Sequence, residues 1–189
     1  MYNPIATYRI QFQKEFSFEE FENIISYLQQ LGVSTVYASP IFEAVSGSTH
    51  GYDGLNPHRI NPEVGTEDQL RRINQQLKEQ NMGWLQDIVP NHMAFHSANP
   101  WLMDVLEKGT QSVYAAFFDV SWTGLLYKGR IMVPFLGATL EQVIQNNELK
   151  IAYQEGRFVF QYFDSVYPLN PRSYAGILQA ARDAPNQAL

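Results

Sequence analysis

The sequence has no cysteine, and that one absence removes a disulfide framework, a thiolate nucleophile and a Cys-ligated zinc site together. It is short of basic residues: 13 Lys and Arg stand against 19 Asp and Glu, a net charge of −6 spread along the chain. No basic cluster is left to track a phosphate backbone, so nucleic acid is not an expected partner. No apolar run approaches a membrane span, and Met1-Tyr2-Asn3-Pro4 has neither a basic n-region nor an apolar h-region, so a cytoplasmic protein without a membrane partner is expected. Internal repeats and low-complexity tracts are missing too. No glycine-rich phosphate loop follows the first apolar strand, which argues against a dinucleotide fold.

What is present is ordinary globular material, 189 residues with 45% apolar and 17% charged side chains, enough for one core and a subdomain. Eleven Tyr and three Trp supply rings with polar edges, which suit sugar faces and protein cores alike. Thr7 to Phe12 alternates as a first strand. Ser17 with Glu20 forms a capping box for a helix whose apolar face is Phe18, Phe21, Ile24, Ile25, Leu28 and Leu31, closed by Gly32. Val33 to Ala38 is a second strand, so the first three elements read as a βαβ unit with parallel strands. A long loop, 41–65, follows, too mixed chemically to be a linker. Thr66 with Gln69 caps a helix carrying Leu70, Ile73 and Leu77, which leads to a strand within 82–89 stopped by Pro90.

Beyond His92 the alternation breaks. Asn99-Pro100 starts a helix to about Glu107; 117–122 and 131–135 look like strands; Thr139 with Gln142 caps a short helix. A hairpin turns at Glu155-Gly156, and Asn170-Pro171 opens a last helix ending near Arg182. The resulting expectation is an α/β chain in three parts: 1–92 as βα units, 93–168 as an inserted α+β subdomain, and 169–189 as a returning helix.

Asp87-Ile88-Val89-Pro90-Asn91-His92 gathers polar groups at a strand's carboxyl end, the edge where parallel α/β domains bind ligands. Those groups equally suit plain loop hydrogen bonding. All four histidines, His50, His58, His92 and His96, fall in one segment. Pro90 disfavours a helix that would bring His92 and His96 together, and no Glu stands between them, so neither metal nor cofactor is expected. Tyr52 can stack on a pyranose, while Asp53, Asp87, Asn91 and His92 offer the hydrogen-bonding groups a hydroxylated ligand requires.

Several segments then carry a resemblance: Thr7-Tyr8-Arg9-Ile10-Gln11-Phe12, Tyr37-Ala38-Ser39-Pro40-Ile41, Gly47-Ser48-Thr49-His50-Gly51-Tyr52-Asp53, Ile60-Asn61-Pro62-Glu63, Asp87 through Ala94, Asn99-Pro100-Trp101 and Pro171-Arg172-Ser173-Tyr174-Ala175. In this order they resemble the N-terminal part of the malto-oligosyltrehalose synthase family, within the α-amylase clan of retaining glycosidases. The resemblance implies part of a TIM (β/α)8 barrel: its first three βα units plus the inserted subdomain. It implies that His92 hydrogen-bonds the sugar before the scissile bond, that Tyr52 stacks on it, that Asp53 and His50 also bind the substrate, and that Asp87 and Asn91 keep the site's architecture. The implied substrate is a maltooligosaccharide or other α-glucan, whose reducing-end α-1,4 linkage is turned by intramolecular transglycosylation into α,α-1,1.

Such chemistry uses a carboxylate pair about 5 Å apart, which in that family comes from later strands. The nucleophile and acid/base are therefore expected beyond residue 189, and this chain is expected to be inactive alone. A full barrel takes about 250 residues. Glu63, Glu107 and Asp119 are read as structural or surface groups. An incomplete barrel also leaves open strand edges that favour self-association. Two other readings stand beside this one: another α-amylase-clan hydrolase or transferase, and a non-catalytic glucan-binding module or half of a split enzyme.

Overall fold

A computed structural model describes residues 4–183 and divides the chain into two compact units, 1–95 and 96–189. Met1, Tyr2, Asn3 and the last six positions of the expected C-terminal segment lie outside the described residues.

The first unit runs β1 (Thr7–Ile10), α1 (Phe18–Gln30), β2 (Thr35–Ala38), β3 (Phe42–Ala44), β4 (Gly54–Ile60), α2 (Glu67–Glu79) and β5 (Gly83–Gln86). Both helices start where the side chains dictate: Ser17 with Glu20 and Thr66 with Gln69 form complete capping boxes. The strands make a parallel sheet in the order β1-β2-β5. Its register aligns Tyr8 with Val36 and Trp84, and Arg9 with Tyr37 and Leu85. Because side chains alternate, one row faces the helices and the next faces away. On the helix side Ile10, Phe12, Val36 and Ala38 form one core with Phe18, Phe21, Ile25 and Leu28 of α1 and with Ile73 and Leu77 of α2. Phe12 is its centre, edge-on to Phe18 and Phe21 at 5.2 and 5.4 Å and stacked on Trp84 at 5.8 Å.

Both helices thus cover the same face, the arrangement of a singly wound barrel and not of a doubly wound sheet. The described strands nevertheless form an open three-stranded sheet, with β1 and β5 at its edges, and no closed barrel. Three local expectations are corrected. Leu31 is not on the buried face: it caps the C-terminus of α1 and is 56% exposed. The third parallel strand ends at Gln86, and Ile88 is exposed beyond the ladder. The loop after β2 holds an antiparallel pair, β3 with β4, whose register slips hide the two-residue period that would have disclosed it.

The second unit contains α3 (Pro100–Lys108), α4 (Leu140–Gln145), an antiparallel sheet of β6 (Leu149–Gln154), β7 (Arg157–Tyr162) and β8 (Ser165–Pro168), and α5 (Tyr174–Asp183) after a single 3-10 turn. Buried Asn99 caps α3, accepting from the amides of Trp101 and Leu102 at 3.1 Å each. The β6–β7 hairpin turns where both central residues have positive φ, Glu155 at 50° and Gly156 at 81°. Strand β8 follows a turn at Phe163 and Asp164, which carries no glycine or asparagine to advertise it. The strands expected over 117–122 and 131–135 do not form. Their amides bond two residues back instead, Trp122 to Val120 at 2.9 Å and Phe135 to Val133 at 3.0 Å, so apolar alternation there found no ladder to join. No helix among the described residues is long and apolar enough to cross a membrane.

Candidate functional site

The face of the parallel sheet turned away from the helices carries polar side chains at its carboxyl end. Arg9 and Gln11 from β1 and its continuation, Tyr37 from β2, and Asp87 just after β5 all belong to this face by register and alternation. Asp87 is held in place by its own amide, which donates to the Ala38 carbonyl at 2.9 Å and extends the ladder one step. Its Oδ2 accepts two phenols, Tyr52 at 2.5 Å and Tyr37 at 3.1 Å. Arg9 donates from Nη2 to the Tyr52 oxygen at 3.2 Å, and its guanidinium carbon lies 5.6 Å from the centre of the Tyr37 ring. The Asp87 carboxylate raises the Tyr52 phenol above its ordinary value, with Arg9 pulling partly the other way.

Tyr52 is delivered by the loop between β3 and β4, and that loop is internally tied. Gly51 has φ +76°, and a Cβ there would lie 2.6 Å from the Pro40 carbonyl oxygen, so the chain passes β2's end at a distance only glycine permits. Ser48 donates to Asp53 Oδ1 at 2.5 Å and accepts from the Gly51 amide at 3.1 Å. His50 Nδ1 accepts the Tyr52 amide at 3.0 Å, and the two rings are stacked 6.0 Å apart. Asp53 Oδ1 lies 3.8 Å from His50 Nδ1, beyond hydrogen-bonding distance.

His92 is exposed, with Nε2 3.1 Å from the Tyr52 carbonyl and Nδ1 3.3 Å from Asn91 Oδ1. A carbonyl only accepts, so the Nε2 that meets Tyr52 carries a proton. A small pocket of about 50 Å³ beside this histidine is bounded by Pro40, Gly51, Gly54 and Met93. A larger cleft of about 770 Å³ lies between β4, α2 and β5, and none of Tyr52, Asp87, Asn91 or His92 lines it.

The structure therefore brings Tyr52, His50, Asp53, His92, Asn91 and Asp87 into one connected cluster. Asp53 is engaged in holding the loop, and His96 belongs to the second unit, where its Nδ1 accepts the Ala98 amide. The three carboxylates set aside earlier sit elsewhere: Glu63 accepts from Ser46 and the Gly47 amide, Glu107 meets Arg157 at 3.3 Å, and Asp119 is exposed. Among the described residues no group of three or more His, Asp or Glu side chains is placed to enclose a metal ion. Arg9, Gln11 and Tyr37 were not singled out from the sequence. Their signal was there, since residues 9 and 11 alternate onto one face at a strand's carboxyl end.

The profile of the alpha-amylase catalytic domain matches residues 22–162. The chain belongs to the alpha-amylase family. That family's TIM-barrel type of fold accords with parallel strands covered by helices on one face. Among relatives, a Mycobacterium tuberculosis protein provisionally named a maltooligosyl trehalose synthase is 44% identical over 141 residues, 71% of this chain and 18% of its own length. An intracellular maltogenic amylase of Bacillus subtilis is 38% identical over 96 residues, 51% of this chain and 16% of the relative. A solved maltooligosyl trehalose synthase superposes with a TM-score of 0.82 at 38% identity, over 94% of this chain and 24% of that one. The maltooligosyltrehalose synthase of Arthrobacter ramosus gives 0.77 at 33% identity, covering 89% of this chain and 21% of its own. This alpha-amylase-family chain thus spans about a fifth of the length of the synthases it resembles.

Proposed function

We propose that this chain is the substrate-holding portion of a trehalose-forming glucan isomerase, which converts the reducing-end α-1,4 linkage of a maltodextrin to α,α-1,1. The observation that carries the reading is the Tyr52 ring, fixed by Asp87 at the carboxyl ends of three parallel strands. Tyr52 stacks on the sugar before the scissile bond with the face turned away from His50. His92 adds a hydrogen bond by exchanging the Tyr52 carbonyl for a sugar hydroxyl, Asp53 and His50 shape the rim, and Asp87 and Asn91 hold the architecture. The nucleophile and the acid/base are supplied from outside these 189 residues. Residues 1–92 are assigned to the first βα units of the barrel, 93–168 to an inserted subdomain, and 169–189 to a helix returning to the barrel. The open edges of β1 and β5 are surfaces for self-association.

The maltogenic-amylase reading is the rival, and the degree of likeness weighs against it: over stretches of similar length the Mycobacterium tuberculosis relative is 44% identical and the maltogenic alpha-amylase of Bacillus acidopullulyticus 31%. Calorimetric titration of the purified chain with maltopentaose tests the proposal. Binding is expected, weakened by Tyr52→Ala and by His92→Ala, with no change in reducing ends over time. Unaltered affinity in both variants refutes the site, and steady loss of reducing ends refutes the placement of the catalytic carboxylates.

A further inference from the structure

The hydrogen bonds around Tyr52 have only one consistent direction. Arg9 has donors and no acceptor, so the Tyr52 oxygen receives from it and must give its own proton away. Asp87 takes that proton and the Tyr37 proton on the same oxygen. The second arm of the Arg9 fork donates from Nη1 to Gln11 Oε1 at 2.6 Å, which turns the Gln11 amide outward to donate to the Thr49 carbonyl at 3.1 Å. The strand period sets both residues on the face shared with Tyr37. One end of β1 therefore grips the sugar-side loop twice, once at Thr49 through Gln11 and once at Tyr52 through Arg9.

We propose that Arg9 and Gln11 are positioning residues for the sugar-facing ring of Tyr52, clamping the 48–53 loop to the end of β1 and leaving the phenol a fixed donor to Asp87. The proposal rests on the glucan reading of Tyr52. With Arg9 on one lone pair of its oxygen and its proton committed to Asp87, the phenol has no proton to donate to sugar and presents its ring face. A lysine cannot replace Arg9, because a single ammonium lacks the planar fork that spans Gln11 and Tyr52 together.

The test uses the 189-residue chain and three variants, Arg9→Met, Arg9→Lys and Gln11→Glu. Amide hydrogen exchange over 48–54 should accelerate about tenfold in Arg9→Met and Arg9→Lys, while α1 amides keep their protection. Gln11→Glu keeps an acceptor for Arg9 but loses the donor to Thr49, so it should loosen the loop, and its added carboxylate beside Arg9 should push the Tyr52 phenol titration upward. That titration, followed by 13Cζ-tyrosine NMR and assigned with Tyr52→Phe, should move further up in Arg9→Met because the nearby cation is gone. A passive tether would not move it. Should Arg9→Met fail to fold, Gln11→Glu carries the exchange test. Unchanged exchange in folded variants, or an unmoved phenol titration in Arg9→Met, overturns the clamp. Maltopentaose affinity is read separately: a loosened loop with affinity unchanged there and in Tyr52→Ala refutes the glucan reading and not the clamp.

Discussion

Replacing Asp87 by Asn keeps the shape of the site and removes its charge. In the parent, one carboxylate oxygen accepts two phenol protons, at 2.5 and 3.1 Å. Hydrogen bonds to a charged group contribute about 1.5–3 kcal/mol and neutral ones about 0.5–1.5, so the exchange costs about 1 kcal/mol per phenol before solvent screening. Asp87 is only partly buried, which trims the total from about 2 to about 1–2 kcal/mol. Asp87→Ala leaves both phenols without an acceptor and should cost more, about 2–4 kcal/mol. Urea unfolding followed by circular dichroism reads these as shifts of midpoint at unchanged slope, about 1 M for 1–2 kcal/mol in a domain of this size. A second readout is pH. The folded phenol of Tyr52 titrates above its ordinary 10.0, so the native state holds that proton more tightly than the unfolded chain does. The stability this confers is complete below pH 10.0 and is lost as pH rises through the higher folded value, and Asp87→Asn should flatten that alkaline loss. An Asn variant as stable as the parent, with the Tyr52 titration where it was, would falsify the central role given to this carboxylate.

The other expectations concern the frame around it. Gly51→Ala should destabilise by at least about 1–2 kcal/mol from the left-handed backbone alone, with more from the approach to the Pro40 carbonyl, and thermal unfolding checks it; a melting temperature like the parent's would show that the loop can move away. Phe12→Ala should cost about 3–5 kcal/mol, because its ring is 1% exposed and contacts three aromatic partners; a loss under 1 kcal/mol in urea would mean that the core collapses around the gap. Glu63 titrates below its ordinary 4.5 because the Gly47 amide and Ser46 hydroxyl donate to it. Its contribution is present above pH 4.5 and lost as pH falls through the lower folded value, so the gap in stability between parent and Glu63→Gln should narrow on acidification. A gap constant across that range would place the stabilisation elsewhere.

Local chemistry in the sequence settled the elements whose signals are local. Ser17 with Glu20, Thr66 with Gln69 and Asn99 before Pro100 start helices because their side chains satisfy amides two or three residues on, a distance any reader of the chain can span. The βαβ order likewise followed from period and length, and the Glu155-Gly156 hairpin from turn chemistry. Spacing could not disclose pairings between remote segments. The β3–β4 pair lay hidden by its register slips, and 117–122 looked like a strand though no partner awaited it. The site divides the same way. Tyr52, His92, Asp87 and Asn91 stood out by residue type at a strand end, whereas the links from Tyr52 to Arg9, from Tyr52 to Asp87 and from Tyr37 to Asp87 join positions 43, 35 and 50 residues apart. Those contacts exist because parallel register sets the ends of β1, β2 and β5 side by side, and only the folded sheet supplies that register.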